Sequence, residues 1–337
     1  MTDRKVLPTG KLPGDMLERL LLKYHTPADA SVIVDTSYGF DAAAVRIGAE
    51  TLLVKSDPIT FASSSAARYL VAVNANDIAC LGGIPRWMTV VALLPEHGTT
   101  AELVEELFAD LQHACELEDI SLIGGHTEIT LGIDRPLLIG TLLGTVGPHG
   151  LLKPGSAQAG DELWMSHNPA IEGTALLAFE REQELLAALG PDIVGAGQAL
   201  IIDPGISISR DANALLQLGV ITALHDATEG GVATAIHEIA AASRLGASID
   251  GKAIPILPET AAIAHHFHLD PLGLISSGAL IIAATPGQES ILNACAVPLT
   301  RIGVLTDQPG RVTISTDRGE EILQRFDSDE LARALAT

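Results

Sequence analysis

HDATEGGVATAIHEIA, residues 225–240, is the stretch from which the rest of the chain can be read. A polar turn bearing Gly230 and Gly231 runs into an apolar pattern in which Val232, Ala235, Ile236 and Ile239 recur at helical spacing. That spacing predicts a helix that starts at or near the glycines and buries one face. The first turn of such a helix leaves backbone N–H groups open to an anion or a capping carboxylate. On local grounds Gly230 and Gly231 are candidates for a phosphate cradle, with His225, Asp226, Thr228 and Glu229 beside them. The plainer alternative is that Asp226 or Thr228 only caps a core helix.

Outward from this stretch, 337 residues suffice for one large domain or two moderate ones. A 47% hydrophobic content with only 3% aromatics describes a core of Ala, Val, Leu and Ile, suited to packed α/β layers. Against 20 basic residues stand 42 acidic ones, a formal charge of −22. Nucleic acid and anionic membrane both need a basic footprint, so neither is an expected partner. An anionic ligand would require a divalent cation or a local basic group. Cys80, Cys115 and Cys295 lie far apart with no CxxC pair, which fits a reduced, cytoplasmic setting. The opening MTDRKVLPTGKLPGD lacks the apolar centre of a signal peptide. Glycine interrupts the apolar runs at Leu137–Val146 and Gly278–Ala284, and they are too short to span a bilayer.

Along the chain, Met16, Leu17, Leu20, Leu21 and Tyr24 mark a helix. Short strands are expected at 31–35, 43–47 and 51–55, and the serines 63–65 open a small-residue helix that ends at Gly82-Gly83. Strand 87–94, helix 101–116 and strands 120–123 and 136–146 complete a first half in which strand and helix alternate. GPHGLLKPGSAQAG, residues 147–160, is rich in turn formers and without periodicity. The boundary falls there, giving domains 1–150 and 155–337. The second half holds strand 162–166, helices around 174–189 and 207–218, the opening stretch, and strands near 280–284, 299–304 and 311–315.

Three first-half aspartates stand at element edges in apolar company. Asp41 lies in GFDAAAV at a strand entrance, and Asp57 in VKSDPIT, with Lys55 two residues earlier and a proline turning the chain. Asp77 lies in NANDIACLGG, inside a helix of mostly Ala, Val and Ile, where a carboxylate needs a partner. If the three converge they form an oxygen-ligand site suited to Mg²⁺ and nucleotide phosphates; taken singly, each reads as a cap or a solvated turn residue. GGHTE, Gly124, Gly125, His126, Thr127 and Glu128, is placed directly after strand 121–123, where paired glycines allow close backbone approach to a ligand. Other patterns carry little. His237-Glu238 is not followed by a histidine at Ala241, so no HExxH site forms. His265, His266 and His268 point in different directions, Gly195-Ala196-Gly197 lacks a preceding strand, and Cys80 reads as a small buried thiol.

In order, GFDAAAV, KSDPIT, NDIACLGGIP, GGHTE, GDELWMS, HDATEGGVATAIHEIA and LDPLGLISSG resemble the aminoimidazole ribonucleotide synthase (PurM-like) superfamily. Within it the order is most similar to the hydrogenase-maturation, or HypE, branch, and the resemblance covers nearly the whole chain. It implies a two-domain α/β (α+β) protein, a homodimer whose N-terminal sheets pair into a barrel, and a cleft for ATP and Mg²⁺ near that interface. Asp41, Asp57 and Asp77 match the family's metal-binding acids. Lys55, Asn76, Gly124, Gly125, Thr127, Gly230 and Gly231 are then the expected nucleotide contacts, and His126, Glu128 and Asp226 the catalytic candidates. The family's acid before the Thr of GG[DE]T is here His126, and the first acid of its DDAA motif is Phe40. HypE-like sequences carry a terminal cysteine, a lysine after GDT and a glutamate before the glycine of an EG segment; this chain has ELARALAT, Glu128 and Ser277. The expected activity is therefore ATP-dependent phosphorylation or activation of an oxygen on a separate small-molecule substrate. A nucleotide-binding regulator or scaffold without turnover stands as the alternative from another class. A maturation partner that accepts a group on Cys80 is a third.

Overall fold

A computed structural model describes residues 12–24, 26, 29–60 and 65–335. Ser63, Ser64 and the opening MTDRKVLPTGK lie outside the described residues, as do Ala336 and Thr337 of the terminal ELARALAT. The first half contains α1 (Gly14–Tyr24), β1 (Val32–Val34), β2 (Ala43–Ile47), β3 (Glu50–Ile59), α2 (Ala66–Cys80), β4 (Gly83–Pro95), α3 (Ala101–Leu117), β5 (Ser121–Thr130) and β6 (Leu137–Val146). The second contains β7 (Glu162–Ser166), α4 (Ile171–Glu180), α5 (Glu182–Leu189), α6 (Pro191–Ala199), α7 (Ser209–Leu216), β8 (Ile221–Asp226), α8 (Gly231–Ala242) and β9 (Gly246–Asp250). It closes with α9 (Pro258–His266), β10 (Leu280–Ala284), α10 (Glu289–Asn293), β11 (Leu299–Thr306), β12 (Val312–Thr316), β13 (Gly319–Ile322) and α11 (Glu330–Leu335).

Two sheets result, one per half, in strand orders β1-β2-β3-β6-β4-β5 and β13-β12-β9-β11-β7-β10-β8. Pairing is antiparallel except between β4 and β5 and between β9 and β12, so the mixed α/β fold leans to the α+β side. In the first sheet, period-two alternation turns Met88, Val90, Ala92 and Leu94 inward. Met88, Val90 and Ala92 join a core with Leu111, Ala114 and Cys115 of α3. Trp87 and Val91 project from the opposite face and are exposed. The second sheet is covered on both faces. Leu163, Met165, Ile281 and Ala283 meet Val232, Ile236 and Ile239 of α8 on one side. Trp164, Leu280 and Ile282 meet Ala212 and Leu215 of α7 on the other.

Between the halves runs α2. It is apolar nearly all round, as a helix covered on every side must be. Leu70, Val71, Ala75 and Ile78 pack into the first sheet, Tyr69 and Ala72 into the α4–α6 cluster, and Ala79 and Cys80 into the second sheet. Its amides are consumed structurally: Asn74 donates to the Leu70 carbonyl at 2.8 Å and accepts the Asp57 N–H at 3.1 Å. Asp77 is left as the one buried acid of this helix.

Several expectations differ from the fold in instructive ways. The strand expected to end at Lys55 continues to Ile59. β2 pairs only with residues 50–54 of it, so Pro58 sits where one edge is free and its missing N–H is tolerated. GGHTE does not follow a strand but lies within β5, parallel to β4. Gly125 permits that pairing, since a Cβ there would come within 1.8 Å of the Val90 carbonyl oxygen. Gly195-Ala196-Gly197 lies in α6, where a Cβ on Gly197 would press on Ala178 and Ile263 at 3.1 Å, so the small residues serve helix packing. Ser65 precedes α2 in a left-handed conformation and makes no side-chain cap bond.

Glu172, in the first turn of α4, is a buried acid with an identifiable cost. Burial pushes its carboxyl up to about 7, against the pull of Ser277. The folded state therefore keeps a proton that the unfolded chain releases near the ordinary value of 4.5, and stability falls as pH rises from about 4.5 to about 7. Glu172→Gln is expected to raise the thermal midpoint at pH 8, by a free energy on the order of 3 kcal/mol, with the advantage fading towards pH 4.5. An advantage that is the same at both pH values would show that ionisation of Glu172 is not its source.

Candidate active site

At the joint of the two sheets lies a cleft of about 410 Å³. Six pieces of chain build it. The start of α1 brings Gly14 and Leu17. The loop before β2 brings Tyr38, Phe40 and Asp41; β3 brings Lys55 and Asp57; α2 brings Asp77. The end of β8 and the turn after it bring His225, Asp226, Thr228, Glu229 and Gly230, and α8 brings Glu238. Finally, Phe326, Asp327 and Asp329 arrive from the C-terminal strap.

Local geometry explains the convergence. Residues 53, 55 and 57 of β3 share one face, so the face that buries Leu53 against α2 also delivers Lys55 and Asp57 to Asp77. Lys55 Nζ stands 3.0 Å from Asp77 Oδ2 and 3.1 Å from Asp57 Oδ2. Burial alone would push the lysine down, but the carboxylates of Asp77, Asp57 and Asp41 hold it well above its ordinary value. Burial raises Asp77 well above the usual carboxylate range; Lys55 opposes this, while Asp226, Asp57 and Asp41 reinforce it.

A second link crosses the cleft. His225 Nδ1 lies 2.7 Å from Asp41 Oδ1 and Nε2 lies 3.0 Å from Glu238 Oε2. Burial disfavours the charged imidazole, yet these two carboxylates raise it well above 6.5. Cys80, behind Asp77, is buried and its thiol is pushed up by that burial and by the acids Asp226, Asp41 and Asp77. Its burial agrees with a small core thiol.

In the turn that opens α8 the N-cap is Gly230, at φ 80°, which has no side chain to cap with. Its N–H donates instead to Asp329 Oδ2 at 2.6 Å, and the same carboxylate accepts from Leu331 at 2.7 Å and Ile275 at 3.2 Å. Gly231 is needed for packing: a Cβ would meet the Leu272 carbonyl oxygen at 2.3 Å.

Of the residues singled out from sequence, Asp41, Lys55, Asp57, Asp77, Asp226 and Gly230 share the cleft. Asn76 does not face it. Its amide donates to the Ile206 carbonyl at 2.9 Å and accepts from the Ile208 N–H at 2.8 Å, tying α2 to the second half. Gly124, Gly125, His126 and Thr127 line a separate groove with Phe108 and Leu111. His126 and Glu128, 3.0 Å apart, are exposed and alternate with Thr127 on β5, which directs them to the sheet face that α3 leaves open. Glu238, Asp327 and Asp329 are cleft residues that local sequence patterns did not flag.

The lining carries eight carboxylates, from Asp41, Asp57, Asp77, Asp226, Glu229, Glu238, Asp327 and Asp329, against the cations of Lys55 and His225. Such a cleft repels an anion unless a divalent cation comes with it. Clustered carboxylates are the hard oxygen donors that Mg²⁺ prefers, and Asp77, raised by burial and then by Asp226, Asp57 and Asp41, lies among like charges whose repulsion such an ion would relieve. The donor set fits the cation.

A two-sheet α/β chain whose halves close over a buried helix, with an acid-lined cleft at their joint, defines the class. The chain belongs to the AIR synthase related protein family, matching its N-terminal domain over residues 39–146 and its C-terminal domain over residues 158–315. It is 24% identical over 281 residues to a hydrogenase expression/formation protein of Methanocaldococcus jannaschii, covering 81% of this chain and 80% of that one. To the carbamoyl dehydratase HypE of Rhizobium leguminosarum bv. viciae it is 28% identical over 268 residues, 76% and 72% of the two chains. Its fold is similar to that of the hydrogenase maturation protein HypE in complex with ATP, with a TM-score of 0.71, 22% identity and coverage of 94% and 96%. It is similar too to ThiL, a thiamine monophosphate kinase, complexed with AMPPCP and TMP, with a TM-score of 0.70, 17% identity and coverage of 89% and 91%. Among the described residues no helix is long and apolar enough to cross a membrane.

Proposed function

We propose that the chain is a Mg²⁺-dependent, ATP-using enzyme that phosphorylates or activates an oxygen of a separate small-molecule substrate. The observation that carries this reading is the convergence of Asp41, Asp57, Asp77 and Asp226 around Lys55 at the joint of the two sheets. Asp41, Asp57 and Asp77 would hold the cation, which would supply neutralisation of the phosphate charge. Lys55, set between Asp57 and Asp77, would supply a positive charge for a phosphate oxygen. Asp226 and Glu229 reach the same space from the second half and take the substrate side, where a carboxylate can accept the proton of an attacking hydroxyl. Relatives that use ATP support the reading: HypE was obtained with ATP, and ThiL with the analogue AMPPCP.

A homodimer is part of the same proposal. The open face of the first sheet presents Trp87, Val91, His126 and Glu128, and pairing of two copies across it would cover the apolar residues.

Release of ADP is to be measured with Mg²⁺ and a panel of small acids, amides and phosphomonoesters, beside the thermal shift with ATP. Turnover on at least one member is expected. Asp57→Asn is expected to remove the Mg²⁺-dependent part of the ATP shift, and an unchanged shift would take Asp57 out of the site. A Mg²⁺–ATP shift with no turnover on the panel would replace the enzyme by a nucleotide-binding regulator. No ATP shift at all would end both readings.

A further inference from the structure

We propose that His225, clamped by Glu238, is the positioning residue of Asp41 and is not itself a ligand of the cation taken by the cleft; this rests on Asp41 being one of the acids that hold it. By composition the opposite is the first thought. Asp41, His225 and Asp226 present ligand atoms all within 4.8 Å of one another, a His-carboxylate set of the kind that holds transition metals.

The ring geometry decides between the two. An imidazole ligates through the lone pair of one nitrogen. Here Nδ1 points at Asp41 at 2.7 Å and Nε2 at Glu238 at 3.0 Å. Both ring nitrogens therefore lie within hydrogen-bond distance of a carboxylate, and a cation at either would have to displace one. Turning the ring to ligate would strand a carboxylate, and the side chains of His225, Asp41 and Glu238 are only 7%, 8% and 13% exposed.

The consequence falls on Asp41. One of its oxygens is fixed by the His225 N–H, the outer-shell restraint that orients a ligating carboxylate. The restraint comes from the other half of the molecule, since β8 and α8 carry the clamp while Asp41 belongs to the loop before β2. That loop rests directly on α8, because a Cβ on Gly39 would come within 2.7 Å of the Glu238 carbonyl oxygen. Phe40 packs into the first-half core, and Asp41 is the only acid among residues 36–42. Closure of the two halves and the aim of a first-half ligand are thus set by the same contacts.

The test uses the full chain with His225→Asn, His225→Arg and Glu238→Gln. The half-saturating Mg²⁺ for the ATP-dependent rise in thermal midpoint is expected to increase about 10- to 100-fold in His225→Asn. A smaller increase is expected in Glu238→Gln, and recovery in His225→Arg, which offers donors but cannot ligate. An unchanged Mg²⁺ requirement in His225→Asn overturns the proposal. So does a failure of Arg to restore what Asn loses, accompanied by loss of Mn²⁺ or Zn²⁺ binding in both. Imidazole NMR on ¹⁵N-histidine-labelled wild-type protein without nucleotide supplies an independent reading. A protected ring N–H signal from His225 is expected to be perturbed in Asp41→Asn, and a signal that does not change overturns the contact. If wild type shows no Mg²⁺–ATP shift, the functional reading fails while the NMR result still decides the clamp.

Discussion

Asp77→Asn is expected to abolish the Mg²⁺-dependent stabilisation by ATP and to lower turnover by roughly 10²-fold or more, with the ligand-free protein as stable as wild type or more so. The two halves of this outcome have one cause. Asp77 is 4% exposed on a helix covered by apolar packing on every side. Its charge is opposed by burial and by Asp226, Asp57 and Asp41, and is offset by Lys55 at 3.0 Å. Asparagine has nearly the same shape and no charge, so the substitution removes the repulsion while Lys55 keeps Asp57 at 3.1 Å. Strain of this kind is tolerated where function needs it and is released when function is removed. The measurements are the thermal midpoint without ligand, with ATP, and with ATP and Mg²⁺, together with ADP release. A midpoint several degrees lower in the free protein, with the Mg²⁺ shift intact, would make Asp77 a structural partner of Lys55 and nothing more.

The central acids were legible because elementary periodicity exposes them. An aspartate in a helix of Ala, Val and Ile must meet something, and a lysine two residues from an aspartate on a strand shares its face. The same periodicity, read too cautiously at glycine and proline, ended two strands early. Pro58 reads as a turn although a half-edge strand accepts it, and GGHTE reads as a ligand-facing turn although it pairs along β4. Asn76 was assigned with its neighbour Asp77, yet successive helical side chains diverge by about 100° and its amide faces the second half. Glu238 and Asp329 gave no local signal because their roles are tertiary. Glu238 matters through a ring 13 residues earlier, and Asp329 through the backbone 99 residues earlier. β9 and α9 were missed for a related reason. Gly246 opens a strand that is stabilised by pairing with β11 and β12, and α9, which begins at Pro258, has little amphipathic pattern of its own.

Asp329→Ala is expected to produce the largest loss of stability, because one carboxylate holds three segments of the second half together. It accepts the N–H of Gly230 at the start of α8, of Ile275 in the segment before β10, and of Leu331 in α11. Each buried donor left without an acceptor costs about 1–3 kcal/mol, and partial relaxation brings the total to roughly 3–5 kcal/mol. At about 2–4 °C per kcal/mol for a domain of this size, the midpoint should fall by roughly 6–20 °C. The carboxyl also carries a signature in pH. Burial pushes it up to about 6 despite the three N–H donors, so the folded state retains a proton that the unfolded chain loses near 3.8. Wild-type stability therefore declines as pH rises between those values. Asp329→Asn, which keeps one accepting oxygen and never ionises, should cost less than alanine, and its deficit should shrink as pH rises from about 4 to about 7. If alanine leaves the midpoint unchanged, the strap is held by the burial of Phe326 and Leu331 alone. If it lowers the midpoint as expected and also weakens the ATP shift, the turn at Gly230 contributes to ligand binding through the carboxylate that anchors it.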